Sequence, residues 1–137
     1  MVRAATPQDA KEIALLDEMM FVDHLDYNFI LGDISNNPFA KYFVYEADGI
    51  IVGYIGSWIT DNTEILNFCV LDQYQKQGIG SILFNEICKI KEGIISLEVR
   101  ESNEKAINFY LKKGFIASSR RRAYYSNGED AILMVRK

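Results

Sequence analysis

Gln75-Lys76-Gln77-Gly78-Ile79-Gly80 stands between a strand-like run, Glu64 to Leu71, and a helix-like run, Ile79 to Lys91. A strand that passes into a helix through glycines can aim several backbone N–H groups outward together, and the helix N-terminus adds partial positive charge. The stretch is therefore a candidate cradle for an anionic pyrophosphate. A Cβ at either glycine would block a ligand's close approach or forbid the dihedral angles required. The loop lacks the Lys-Ser/Thr of a P-loop and the third glycine of a dinucleotide fingerprint, so neither ATP nor NAD is its natural ligand. Taken alone, a Gly-x-Gly also fits a turn with a helix cap.

Upstream of the loop, Tyr42 to Glu46 and Ile50 to Ile59 are strand-like runs separated by Asp48-Gly49, a hairpin signal of the primed-turn kind. Asp61-Asn62 then turns the chain into Glu64 to Leu71, which completes an antiparallel meander. Val2 to Ala5 reads as a short strand, and Thr6-Pro7-Gln8-Asp9 as a helix start with Thr6 as N-cap, followed by an apolar face of Ile13, Leu16 and Met20. Phe21 to Phe39, broken by Asn36-Asn37-Pro38, reads as one short helix and a loop.

Downstream, Ile79, Ile82, Leu83, Ile87 and Ile90 recur at helical spacing, and Ile94 to Arg100 form a strand. A helix from Asn103 to Lys113 ends at Gly114, and strands follow at Phe115 to Arg121 and Ala131 to Val135. These patterns predict an α/β (α+β) mixed sheet, mostly antiparallel, with helices on both faces. A parallel crossover occurs where the Ile79 helix joins two strands.

A chain of 137 residues fits a single domain spanning 1–137 and buries about two thirds of its unfolded surface. With 49% hydrophobic and 25% charged residues it has the profile of an ordinary soluble globule. The net charge of -4 argues against nonspecific nucleic-acid binding and suits a cationic or amine-bearing partner. Asp17, Glu18, Asp23, Asp26 and Asp33 make the N-terminal third acidic, whereas Arg120, Arg121 and Arg122 form a basic knot. No apolar run approaches the ~20 residues of a membrane span, so a cytoplasmic address is expected. Cys69 and Cys88 show no metal spacing and read as reduced core thiols. His24 has no second ligand cluster, and no metal is expected.

Ile95, Leu97 and Val99 alternate with Ser96, Glu98 and Arg100, which puts Glu98 on the polar face of the strand after the loop helix. Ligands in open α/β sheets collect at the carboxyl ends of strands, close to Glu98. The competing reading is a solvent carboxylate neutralised by Arg100. In the next helix Asn103, Ala106, Ile107 and Tyr110 share one face, so Asn103 and Tyr110 can reach one ligand. Tyr110 is equally readable as a core aromatic with its hydroxyl at the surface.

With these residues in place the chain resembles a known family. Gln75-x-x-Gly78-x-Gly80 matches the acyl-CoA loop of the GNAT N-acetyltransferases, and Ser102-Asn103 through Ala106 to Phe109-Tyr110-x-x-x-Gly114-Phe115 matches the helix closing their cofactor site. Leu97-Glu98-Val99-Arg100, Arg121-Arg122 with Tyr124-Tyr125, and Gly128-Glu129-Asp130-Ala131 resemble the branch that acetylates the N-terminal alanine of a small-subunit ribosomal protein. The likeness is strong from Glu64 onward and holds only in outline over residues 1–60.

The resemblance implies the acyl-CoA N-acyltransferase fold and acetyl-CoA as co-substrate. It implies a protein or peptide N-terminus as acceptor, and the charge and the short apolar runs predict neither nucleic acid nor membrane as partner. Carried over, Phe68, Cys69 and Val70 present backbone groups to the acetyl-pantetheine arm. Gln75, Lys76, Gln77, Gly78, Ile79, Gly80 and Ser81 form the pyrophosphate loop, and Asn103 contacts the cofactor. Glu98 is the general base and Tyr110 the general acid, and Cys69, with no histidine partner, is no nucleophile. The chain departs from the family in having Asp72 where proline is frequent, and Ser81 where Arg or Lys is frequent. An acetyltransferase for a small amine or free amino acid, and a non-catalytic acyl-CoA-binding module, remain open alternatives.

Overall fold

The computed structural model describes residues 1–137. Its strands are β1 (Val2–Ala4), β2 (Ala40–Ala47), β3 (Ile50–Ile59), β4 (Thr63–Val70), β5 (Ile95–Arg100), β6 (Ile116–Arg121) and β7 (Ala131–Arg136). They form one sheet in the order β1-β2-β3-β4-β5-β7-β6. Four helices cover it: α1 (Ala10–Met20), α2 (Tyr27–Asn36), α3 (Ile79–Cys88) and α4 (Glu104–Lys112).

The Asp48-Gly49 turn joins β2 to β3 with φ of 54° and 78°, the left-handed pair that a primed hairpin turn demands. All neighbouring strands run antiparallel except β4 and β5, which are connected through α3. The mixed sheet and its crossover agree with the sequence pattern. The insertion of β7 between β5 and β6 leaves β6 on an edge, with all six of its residues exposed.

Two apolar cores lie on opposite faces. Leu83, Phe84 and Ile87 of α3 pack with Val52, Ile55, Leu97, Tyr110 and Phe115. Ala10, Ile13 and Leu16 of α1 and Ile30 of α2 pack with Tyr42, Val44 and Tyr54. The ambiguous stretch after Phe21 resolves as a loop and α2, whose N-cap Asp26 accepts the Phe29 N–H at 2.8 Å. Asp33 fixes α2 to the sheet, accepting from the Tyr42 hydroxyl and the Trp58 indole, each at 2.7 Å. At the start of the chain, Thr6 precedes a short 3-10 turn, Pro7–Asp9, and the Asp9 carboxylate accepts from Thr6 N–H and from Arg3, both at 2.7 Å. The loop helix is shorter than the run to Lys91 predicts. It ends at Cys88, where Ile90 N–H turns back to the Ile87 carbonyl and Gly93 takes φ 118°.

Candidate active site

A cleft opens where β4 and β5 part. The two strands pair for only three residues, from Thr63↔Ile95 to Ile65↔Leu97. Against β3 the register jumps from Ser57↔Ile65 to Gly56↔Asn67, so Leu66 is an inserted bulge residue. A bulge bends its strand and sharpens the local twist. Beyond it β4 stays with β3 while β5 follows β7 as far as Arg100↔Ala131. Among the residues lining the gap are Asn67, Phe68, Glu98, Asn103, Tyr110 and Tyr125.

The ladder determines which backbone groups of β4 face this gap. Leu71 N–H donates to the Val52 carbonyl at 2.8 Å, which makes Gly53↔Val70 a pair without mutual hydrogen bonds. The N–H of Val70, with the N–H and carbonyl of Phe68, therefore turns away from β3 into the gap. Cys69, one residue out of phase, gives its backbone groups to Tyr54. The Val70 carbonyl is taken by the Gln75 carboxamide at 2.8 Å, so Gln75 straps the glycine loop to the end of β4.

The loop itself has two left-handed residues, Lys76 at φ 63° and Gly78 at φ 84°. Gly78 caps α3, and nothing lies within 4 Å of where its Cβ would stand. Glycine is required there for its dihedral angles. Gly80 is helical, and a Cβ on it would meet the Phe68 and Phe109 rings at 3.5 and 3.7 Å, ordinary contact distances. The first helical bond of α3 runs from Ile82 N–H to the Gly78 carbonyl, which leaves the amides of Ile79, Gly80 and Ser81 without helical acceptors. Lys76 and Gln77 are exposed beside them.

Glu98 points from β5 into the cleft, but its neighbour is not the one the sequence suggests. Arg100 is engaged elsewhere, donating to Asn127 Oδ1 at 2.8 Å and Asp23 Oδ2 at 3.1 Å with its guanidinium 4.2 Å from the Tyr125 ring centre. Arg121 takes its place, with Nε 2.9 Å from Glu98 Oε2. The N–H is not aimed at the carboxylate, so Oε2 is buried with no hydrogen-bond donor.

Tyr110 is buried among Phe68, Phe109 and Phe115, and its hydroxyl has no hydrogen-bond partner within the protein. Burial, then the Cys69 thiol, pushes the phenol above the usual tyrosine range, so it remains protonated at neutral pH. Burial also raises the Cys69 thiol well above its ordinary value, which leaves no thiolate to act as a nucleophile. Asn103 is the N-cap of α4 rather than a member of its first turn, its side-chain oxygen accepting Ala106 N–H at 3.2 Å.

Sequence reasoning missed the buried carboxylate behind the cleft, which holds the lining residue Asn67. Asp17 is fully buried and accepts from the Tyr54 hydroxyl at 2.6 Å and from Leu25 N–H and Asn67 Nδ2 at 2.8 Å each. Burial raises its carboxyl despite these donors, which pull the other way. The signal lay in the spacing, since Asp17 follows Ile13 by four residues on the apolar face of α1. The sequence also does not show that the loop of residues 122–130 folds onto the cleft. Asp23 anchors it through Ser126 N–H at 3.1 Å, and burial first, then Glu98, pushes the Tyr125 phenol up to about 12. No cluster of three or more His, Cys, Asp or Glu is placed to hold a metal, and no helix is long and apolar enough to cross a membrane.

The acetyltransferase (GNAT) family model matches residues 8–115, a span from the 3-10 turn through the bulge, glycine loop and α4. The chain belongs to the acetyltransferase (GNAT) family. As a GNAT protein it is an N-acetyltransferase. It is 35% identical over 139 residues to a Bacillus subtilis protein assigned as a ribosomal protein bS18-alanine N-acetyltransferase, covering 97% of this chain and 92% of the relative. It is 32% identical over 151 residues to an N-alpha-acetyltransferase of Sulfurisphaera tokodaii, covering 97% and 90%. Among solved GNAT structures, Arabidopsis thaliana Naa50 in complex with the bisubstrate analogue CoA-Ac-MVNAL superposes with a TM-score of 0.83 at 25% identity, over 100% of this chain and 97% of that one.

Proposed function

We propose that this N-acetyltransferase moves the acetyl group of acetyl-CoA to the N-terminal α-amine of a protein, with the N-terminal alanine of a small-subunit ribosomal protein as acceptor. The observation that carries the reading is the cleft opened by the Leu66 bulge, lined by Glu98 and Tyr110, with the Val70 N–H turned to that side by the phase of the β3–β4 ladder. Acetyl-CoA supplies the thioester carbonyl. The left-handed Gly78, the open space beside it and the free amides of Ile79, Gly80 and Ser81 suit a pyrophosphate, and the gap-facing groups of Phe68 and Val70 suit an amide-bearing arm. The exposed Lys76 is the nearest cation in the sequence to supply charge where Ser81 replaces Arg or Lys.

An amine must be neutral to attack. An α-amine has a pKa of about 8 against about 10.4 for lysine, so deprotonating it costs roughly 3 kcal/mol less. Glu98 accepts the proton, directly or through a water, as the amine attacks from the cleft. The Val70 N–H polarises the acetyl oxygen, and the protonated Tyr110 hydroxyl supplies a proton to the departing sulfur. Cys69 backs the strand and forms no acyl-enzyme.

The acceptor test uses three substrates with acetyl-CoA: a basic peptide with a free N-terminal alanine, the same peptide N-blocked but carrying lysine, and a polyamine. Mass spectrometry is expected to find acetyl on the free α-amine alone. Acetylation of the polyamine alone would move the function to small amines, and no transfer to any of the three despite acetyl-CoA binding would refute catalysis on this class.

A further inference from the structure

Glu98 is the one side chain of the cleft whose buried polar atom has no donor, although a guanidinium nitrogen stands 2.9 Å away. A buried carboxylate oxygen without a hydrogen bond is costly, and an arginine carries five N–H donors that could satisfy it. Arg121 brings its Nε close, but not in line. An ammonium has three N–H groups that rotate freely, so an incoming protonated amine can make the bond that Arg121 does not.

The cations around the cleft differ in how firmly they are held. Arg100 is fixed by Asn127, Asp23 and the Tyr125 ring. Arg120 is fixed by Glu101 at 2.7 Å and Asp130 at 2.9 Å. Arg121 has no acceptor besides the misaligned Glu98, and its side chain is 63% exposed. It ends the edge strand β6, shortly before Ala123 bends the chain at φ 48°, and its guanidinium already lies 5.5 Å from the Tyr124 ring centre. Asp23 and Glu129 are both committed to Arg100, which leaves Glu98 as the carboxylate open to a new cation.

We propose that Arg121 is a placeholder for the acceptor's ammonium: its guanidinium neutralises Glu98 before the acceptor arrives and swings toward Tyr124 when the protonated amine takes its position. This rests on the reading of Glu98 as the base. Arg121 is thus a positioning residue that competes with the acceptor. The pair has no aligned hydrogen bond and its arginine is mostly exposed, so displacing it is easy and removing it gives a modest gain.

The test is titration calorimetry of an unacetylated peptide with a free N-terminal alanine into the CoA-saturated protein, with turnover measured in parallel. Arg121→Gln is expected to bind the peptide about two- to fivefold tighter than wild type, the factor for a weak ion pair with one solvent-screened partner. Arg121→Lys, whose ammonium can aim an N–H at Glu98, is expected to bind the peptide no tighter than wild type, and Arg121→Gln added to Glu98→Gln to change nothing further. Equal or weaker binding in Arg121→Gln overturns the placeholder role, as does tighter binding that persists without Glu98. Full turnover in Glu98→Gln, or no peptide binding by wild type and variant alike, would overturn the underlying reading as well. An inactive Glu98→Gln with unchanged binding in Arg121→Gln sinks the placeholder alone.

Discussion

Replacing Gly78 by valine separates the needs of the fold from those of the ligand. Gly78 sits at φ 84°, and no atom lies within 4 Å of its Cβ position. The side chain meets no clash, so the cost to folding is backbone strain, about 2 kcal/mol for a β-branched residue in the left-handed region. Unfolding entropy of about 2.1 cal/mol/K per residue over 137 residues gives roughly 0.29 kcal/mol/K, so the melting temperature falls by about 7 °C and the chain stays folded. The isopropyl group, however, fills the space beside the free amides of Ile79, Gly80 and Ser81, and acetyl-CoA binding is lost. Calorimetry on the folded variant reads the second effect and a thermal melt the first. Gly80→Ala is the control: a helical site with 3.5 Å to its nearest neighbour gains about 1 kcal/mol of helix propensity and melts a few degrees higher. Normal acetyl-CoA affinity in Gly78→Val would refute the cradle, and an unchanged melt would refute the strain.

Three further substitutions probe the cleft and its supports. Tyr110→Phe is expected to lower turnover by about a hundredfold or more with acetyl-CoA affinity nearly unchanged, by steady-state kinetics and calorimetry; a large loss of affinity would make Tyr110 a binding residue. Asp17→Asn keeps one oxygen for Leu25 N–H and Asn67 Nδ2 and turns an N–H₂ toward the Tyr54 hydroxyl, which must then accept; losing the charge from these bonds should cost about 1–2 kcal/mol in urea unfolding, an idea that a loss below about 0.5 kcal/mol would contradict. The Asp9 carboxyl is held at about 2, below its ordinary 3.8, chiefly by its hydrogen bond from Arg3 and also by Thr6. Because the folded value is depressed, the stability it confers is present above pH 4 and is lost as the pH falls toward 2. It amounts to at most about 2 kcal/mol, less for screening at the part-exposed Arg3. Urea unfolding should show wild type well above Asp9→Asn at pH 5 and the gap closing near pH 2.5; an equal gap at both would exclude this linkage.

What was legible in the sequence followed from local chemistry. Asp48-Gly49 announces its turn because only such residues accept two positive φ angles, and Gly78 and Gly114 announce helix boundaries for the same reason. Ile95, Leu97 and Val99 are buried as their alternation predicts, with Glu98 between them facing the cleft. What stayed hidden depends on partners distant in the chain. Nothing local to Leu66 says that β3 will skip a residue against it, yet that skip opens the site. Arg100 is two residues from Glu98 and pairs with Asp23 instead, while Arg121 reaches Glu98 only because β7 places β6 at the sheet edge. Residues 21–39 resist reading because their helix is held by the buried Asp33, whose partners Tyr42 and Trp58 lie on two different strands.

The central claim is that the acceptor amine meets the acetyl group in the gap between β4 and β5. A crystal structure of this chain with CoA joined through an acetyl bridge to a peptide N-terminus tests it most directly. The expected result places the bridging carbonyl oxygen about 3 Å from the Val70 N–H, with the peptide amine on the Glu98 side. A bridge lying outside the gap, or a carbonyl facing away from Val70, would contradict it.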